Sequence, residues 1–258
     1  EDTEILDELV VIGYGTQRRR EITGSVTNVS AENFNKGVAR DAADLLQGKV
    51  AGLNITTPSG DVTVGSRIRL RGVSTLQNDQ GPFVVIDGIP GGDLQTVAPQ
   101  DIESISVLKD ASSAAIYGSR SAGGVILITT KRGSGVRTMV SYDGYIAVSM
   151  LANKPDLLTA DEWRAYARET ERDASVYDRY NANTDWFDEI TRAGITQNHG
   201  VSLSGGGSSN NYRASFNYLN REGVVNDNDM ERYNFRFQLQ QRAINDRLRI
   251  GLTGSATI

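Results

Sequence analysis

"NYRASFNYLN" (Asn211–Asn220) and "RYNFRFQLQQ" (Arg232–Gln241) change character at every residue. Tyr212, Ala214, Phe216 and Tyr218 alternate with Arg213, Ser215 and Asn217, and Tyr233, Phe235, Phe237 and Leu239 alternate with Asn234, Arg236, Gln238 and Gln240. A period of two belongs to a strand, whose successive side chains leave opposite faces. The same grammar governs Thr138–Met150, with Val140, Tyr142, Ile146 and Val148 on one face. It recurs in "NHGVSLSG" (His199, Val201, Leu203) and "RLRIGLTGSA" (Leu248, Ile250, Leu252). Each run has the length, about ten residues, at which a tilted strand crosses hydrocarbon. The connections "GGGSSN" and "AIND" are short, whereas "REGVVNDNDMER" and the stretch 151–195 are long. Short turns on one side and long loops on the other suit a transmembrane barrel. Tyr212, Tyr218 and Tyr233 near the strand ends also suit one, because interfacial aromatics belong there. A soluble β-sandwich shares the period, so alternation by itself leaves both architectures open.

The bulk numbers narrow the function. At 258 residues there is room for one large or two ordinary domains. A net charge of −5 gives no reason to expect nucleic-acid binding. The absence of Cys removes disulfides, thiolate chemistry and Cys-based metal sites. His199 is the single His, which leaves almost no material for a zinc site or a Ser-His-Asp set, so no enzyme, cofactor or metal is expected. No window approaches eighteen consecutive apolar residues, which excludes a transmembrane helix but not a barrel. Five strands cannot close, because the smallest barrels of this kind have about eight. Further strands are therefore expected after Ile258, and the acidic start reads as a processed terminus.

Before the alternating strands the grammar is mixed. "TGSVTNVS", "SRIRLRGV", "GPFVVIDGIPGG", "DIESISVLKD" and "GGVILITTKRG" read as strands. "RDAADLLQGKVAG" reads as a small helix with Asp41 as N-cap and Gly48 as stop, and Asp110 looks like the cap of "ASSAAIYG". This predicts a compact α+β domain over 18–133, preceded by a segment 1–17 and followed by the strands of 134–258. The loop 151–195 carries a capping box, Thr159 with Glu162, and Trp163, Tyr166 and Ala167 follow at helical spacing. Its aromatics Trp163, Tyr177, Tyr180 and Trp186 suit stacking on sugar rings or, equally, packing of the loop's own small core. At the other end, Leu9–Ile12 has strand composition beside a free terminus with no expected hairpin neighbour.

"IESISVLKDASSAAIYGSRSAGGVILITTKRG" (Ile102–Gly133) resembles the end of the plug domain in TonB-dependent outer-membrane transporters. "FVVIDGIP" with "RIRLRG" before it, and "DELVVIGYGTQRRREITGSV", look like the SusC/RagA branch of that family. "TDWFDEI" and "LSGGGSSNNYRASFNYLNREGVV" resemble that branch's first barrel strands. The resemblance implies an α+β plug domain followed by antiparallel transmembrane β-barrel strands, part of a twenty-two-stranded barrel whose lumen is plugged. It implies the outer membrane of a Gram-negative bacterium and TonB-dependent import of oligosaccharides. A RagA-type peptide importer is the alternative, and a passive pore or adhesin without energy coupling is the rival class.

The expected partners are TonB with ExbB and ExbD, a SusD-like surface lipoprotein, a possible dimer of SusC–SusD pairs, and outer-membrane lipid. Leu9, Val10, Val11, Ile12, Gly13 and Tyr14 would bind TonB by adding a strand to its sheet. Asn78, Asp79, Gln80 and Asp93, on polar plug loops, would contact the solute. Arg67, Arg69, Arg71 and Arg120 would meet carboxylates on the barrel wall, holding the plug by polar contacts that can rearrange.

Overall fold

The computed structural model describes residues 9–12, 15–18, 26–57, 60–70, 81–110, 114–170, 181–245 and 247–258. The N-terminal part is built on a five-stranded sheet of β3 (Val26–Ser30), β6 (Phe83–Ile86), β7 (Ile89–Pro90), β8 (Ile102–Leu108) and β9 (Val125–Thr130). Its strand order is β3-β8-β9-β6-β7, with β6 and β9 parallel and the other pairs antiparallel. A separate ladder joins β4 (Leu53–Thr56) to β5 (Arg67–Leu70).

"VILITT" forms the central strand because it is apolar on both faces, as a strand covered from both sides must be. Ile126 and Ile128 enter a core with Val29, Leu46, Ile68, Ile102 and Ile105. Val125 and Leu127 enter a second one with Val85, Leu108 and Ala114. Each such side chain contributes about 1.5–3 kcal/mol by leaving water.

Two local expectations are corrected. Asp41 does cap, accepting from the Ala43 and Asp44 amides at 2.9 and 3.4 Å, and Gly48 does end the segment at φ +75°. Between them stands only a 3-10 turn, Asp44–Leu46. The Asn35 amide takes the Asp44 and Gln47 carbonyls, which a longer helix would have used itself. The second correction concerns the N-terminal strand. β1 (Leu9–Ile12) pairs antiparallel with β2 (Gly15–Arg18), Val11 standing opposite Thr16. Gly15–Arg18 therefore supply the backbone partners that a lone strand lacks. Gly13 and Tyr14 lie outside the described residues.

After Arg132 the chain becomes a five-stranded antiparallel meander in sequence order: β10 (Met139–Ser149), β11 (Gly194–Gly206), β12 (Asn210–Glu222), β13 (Asp229–Ala243) and β14 (Leu248–Thr257). Its two faces decide the architecture. Thr196, Asn198, Ser202, Ser215, Asn217, Arg232, Asn234, Arg236 and Gln238 are all buried. Phe216, Phe235, Leu252 and Val140 are 46, 48, 57 and 71 % exposed. A soluble sandwich would bury the second set and expose the first. Apolar outside and polar inside is the barrel-wall arrangement, and the N-terminal part fills the polar side. Among the described residues no helix is long and apolar enough to cross a membrane.

An aromatic row runs across four adjacent strands on the outer face. The Tyr142 hydroxyl and His199 Nδ1 are 2.7 Å apart, His199 stacks at 6.4 Å on Tyr218, and Tyr218 lies 5.1 Å from Tyr233. Glu231 closes the row, accepting from both the Tyr218 and Tyr233 hydroxyls. Rings with an apolar body and a wet tip are stable at a membrane border.

The long connection between β10 and β11 carries α1 (Ala160–Glu169) and α2 (Trp186–Ile190). Thr159 and Glu162 form the expected capping box, and the Thr159 amide holds the Glu162 carboxyl below the ordinary glutamate range. Lys154 bridges Asp185 and Asp188, tying the start of the loop to α2. Of the loop aromatics, Trp186 is 70 % exposed, and Tyr177 and Tyr180 lie outside the described residues.

Candidate functional site

The site is the seam where the N-terminal part meets the inner face of the strand wall. It is built largely from successive inward positions of β13. The Arg232 guanidinium donates to the Arg40 carbonyl at 3.1 Å, and the Asn234 amide to the Thr96 carbonyl at 3.3 Å. Arg236 donates to Asp87 Oδ2 at 2.9 Å. Gln238 donates to the same oxygen at 3.2 Å and to the Thr130 hydroxyl at 2.7 Å. β12 adds Arg213 and Ser215, which donate to Asp101 Oδ1 and Oδ2 at 2.9 and 2.5 Å. β11 adds Asn198, which accepts from Gln100.

Both carboxylates are delivered by tight backbone geometry. Asp87 and Gly88 both take left-handed φ, +50° and +85°, as the two central residues of the β6–β7 hairpin. Asp-Gly is the pair that tolerates such a turn. The Asp87 carboxylate also accepts the Thr130 amide and hydroxyl, at 2.9 and 2.8 Å, so β6 and β9 aim it together. Asp101 ends the short turn Pro99–Asp101 that leads into β8.

The seam is polar, its ion pairs are mostly buried, and a cavity of about 150 Å³ opens beside Asp87 and Gln238. The Arg236–Asp87 side chains are 9 and 7 % exposed, and the Arg213–Asp101 side chains 14 and 10 %. Buried pairs of this kind add little net stability, because desolvation offsets attraction. Gln100 Oε1, Arg232 Nε, Asn234 Oδ1 and Gln238 Oε1 are buried without a hydrogen-bond partner among the described residues. Gln100 and Gln238 line cavities at the seam, where water can serve as the partner. Groups matched in this way fix position without gluing the two parts together.

The structure describes three of the four arginines expected at the seam. Arg67 and Arg69 lie on the exposed face of β5, with Ile68 and Leu70 buried beneath. Arg120 stacks over the Phe83 ring at 4.8 Å, within the N-terminal part, and Arg71 lies outside the described residues. The ion pairs found across the seam have the opposite sign, with carboxylates on the N-terminal part and guanidinium groups on the wall. Asp93 is exposed, caps the turn Leu94–Thr96 by accepting from the Gln95 amide at 2.9 Å, and lines an open cavity with Arg67, Pro82 and Gly92. Asn78, Asp79 and Gln80 lie outside the described residues. Sequence reading missed Asp87, Asp101, Arg213 and Arg236. The available signal was an Arg on the polar face of each of two wall strands, and an Asp-Gly turn beside them.

Known proteins share this fold. A family model described as TonB-dependent Receptor Plug Domain matches residues 18–125. The chain is 40% identical to TonB-dependent receptor SusC of Bacteroides thetaiotaomicron, over 98% of this chain and 26% of that protein. The RagAB peptide importer in its open-open state superposes with TM-score 0.85 at 29% identity, covering 97% of this chain and 32% of that one.

The chain belongs to the TonB-dependent receptors, in their SusC/RagA branch.

The closed-closed state of RagAB superposes with TM-score 0.80 at 28% identity, over 92% of this chain and 30% of that one. The chain spans about a quarter of the length of the curated relatives it matches. The N-terminal part is the family's plug, and the alternating strands are barrel wall.

Proposed function

We propose that this chain is the gated plug and adjoining wall of an outer-membrane importer, energised by TonB with ExbB and ExbD. A pull on the N-terminal segment would shift the plug and admit oligosaccharides. The observation that carries this reading is the seam: a plug held by polar groups inside an outwardly apolar wall can move without exposing grease. The likeness to SusC supports a glycan solute, and the likeness to the RagAB peptide importer supports peptides as the second reading. Asp93, exposed beside an open cavity, would contact a solute rich in hydroxyl or amide groups. A SusD-like lipoprotein would cover the outer side, in pairs of pairs.

Leu9, Val10, Val11, Ile12, Gly13 and Tyr14 are the proposed TonB-binding residues. β1 lies near the plug strand β9 as well as being paired with β2, so binding TonB would require release from both; the two-stranded ladder itself is marginal in water. Exchanging β2 for a sheet edge of TonB replaces one ladder with another. Val11→Pro in the full-length receptor removes a donor and breaks such pairing. Uptake should fall about five- to thirtyfold, the effect of losing one or two backbone hydrogen bonds at about 1 kcal/mol each, while the amount in the membrane stays unchanged. Undiminished uptake would refute the assignment. Deleting 8–16 separates the importer from a passive pore, which would still conduct.

A further inference from the structure

We propose that Asn228 is a positioning residue that couples the plug to the long outer loop, through the turn between β12 and β13. The coupling deepens the importer reading, since it rests on the N-terminal part being a movable plug.

The turn is only residues 223–228, shorter than the long loop expected from the sequence, and it closes tightly. The Gly223 amide donates to the Asn228 carbonyl at 2.7 Å, and Asp227 takes a left-handed φ of +61°. A Cβ on Gly223 would sit 2.6 Å from the same carbonyl, so the turn closes against backbone.

One side of the turn grips α2 and the residues after it. The Asn226 amide donates to the Ile190 carbonyl at 2.9 Å, and its side chain to the Glu189 carbonyl at 2.8 Å. The Arg192 amide donates to the Val224 carbonyl at 2.8 Å, Thr191 bridges Val225, and Arg192 pairs with Asp229.

The other side grips the plug. Asn228 Oδ1 accepts from the Val62 amide at 3.2 Å, and its Nδ2 donates to the Gly60 carbonyl. One planar amide thus satisfies a donor and an acceptor two residues apart, as a neighbouring strand would. The gripped loop is itself braced, because Asp61 accepts from the Thr63 amide and hydroxyl at 2.9 and 2.6 Å. The other seam hydrogen bonds described above come from wall strands, which are fixed in their ladders. Asn228 sits on a connection and can follow what that connection touches.

Labelling of full-length receptor in detergent tests the coupling without TonB or solute. Residues 1–258 contain no Cys, any Cys elsewhere in the full-length receptor would be replaced by Ser, and Val64, 42 % exposed, offers a reporter site beside the gripped loop. Val64→Cys would be labelled with a water-soluble maleimide, and exposed Glu103→Cys at the start of β8 would serve as the distant reference. Asn228→Ala should raise the labelling rate of the Val64→Cys reporter by about threefold or more, the scale of couplings of this kind. Asn226→Ala, which touches α2 and not the plug, should raise it too. The two together should do no more than Asn228→Ala alone, and the Glu103→Cys reference should keep its rate.

If Asn226→Ala left the Val64→Cys reporter unchanged, or if the two effects multiplied as independent ones, the turn would not transmit. If the Glu103→Cys reference accelerated equally, the plug would simply have loosened and the proposal would fall. These rates do not depend on import, so the coupling and the importer reading can fail separately.

Discussion

Arg236→Ala is expected to be the most damaging single truncation in the seam, weakening plug seating by about 3–5 kcal/mol. The guanidinium and the Asp87 carboxylate are both more than nine-tenths buried, so water does not screen the loss. Asp87 would keep the Thr130 amide and hydroxyl and the Gln238 amide, but no cation would neutralise it. The damage comes from orphaning a buried charge rather than from losing a strong bond. Asp87→Asn combined with Arg236→Met should therefore be milder than Arg236→Ala, because neither partner is then left charged.

The measurement is denaturant unfolding of the plug in full-length receptor, run as a cycle with both single variants. Entry of a small hydrophilic dye into proteoliposomes should rise in parallel. Equal stability and equal leak for Arg236→Ala and the parent would show that the pair does not seat the plug.

The second large effect is expected at Gly133, where the plug hands over to the wall. Its backbone is not left-handed, and nothing in its local sequence singles it out. A Cβ there would nevertheless overlap the Tyr212 carbonyl oxygen and lie 2.8 Å from that of Gly205. Both are backbone atoms of residues paired with one another across β11 and β12, so neither can retreat without opening the ladder. Gly133→Ala should exceed the usual overpacking penalty of about 1–3 kcal/mol and sharply reduce the heat-modifiable, folded fraction.

Gly135 gives the internal comparison. It has φ +86° and nothing within 4 Å of its Cβ position, so Gly135→Ala meets only left-handed strain of about 1–2 kcal/mol. The reverse order of effects would mean that the linker does not thread against the wall as described.

Much of this molecule was legible in its sequence. Period-two alternation in 211–220 and 232–241 marked the wall strands, and the doubly apolar "VILITT" marked the centre of the plug sheet. Which face of the wall points inward was not legible from alternation, because a sandwich and a barrel share the period. Burial of Asn234, Arg236 and Gln238 beneath exposed Phe235 decided it. The sign of the seam was also hidden. Arg67 and Arg69 announce only a face that is not core, and what covers such a face depends on tertiary placement. In the sequence Asp87 is only the start of a turn that ends an apolar strand. Its role came from a left-handed backbone that aims the carboxylate sideways at another part of the chain. The β1–β2 ladder was missed because a weak four-residue partner carries little signal of its own.

The central claim is that the alternating strands face lipid on one side and the plug or its lumen on the other. Nitroxide scanning of residues 140–148 on β10, one introduced Cys at a time in the membrane-embedded receptor, tests it most directly. Collisions with oxygen, which concentrates in lipid, should peak at Val140, Tyr142, Ile146 and Val148. At Ser141, Asp143 and Ala147, which face the plug or its lumen, oxygen collisions should fall relative to those of a water-soluble nickel chelate. Equal access of the chelate to both sets, or the opposite phase, would contradict the account.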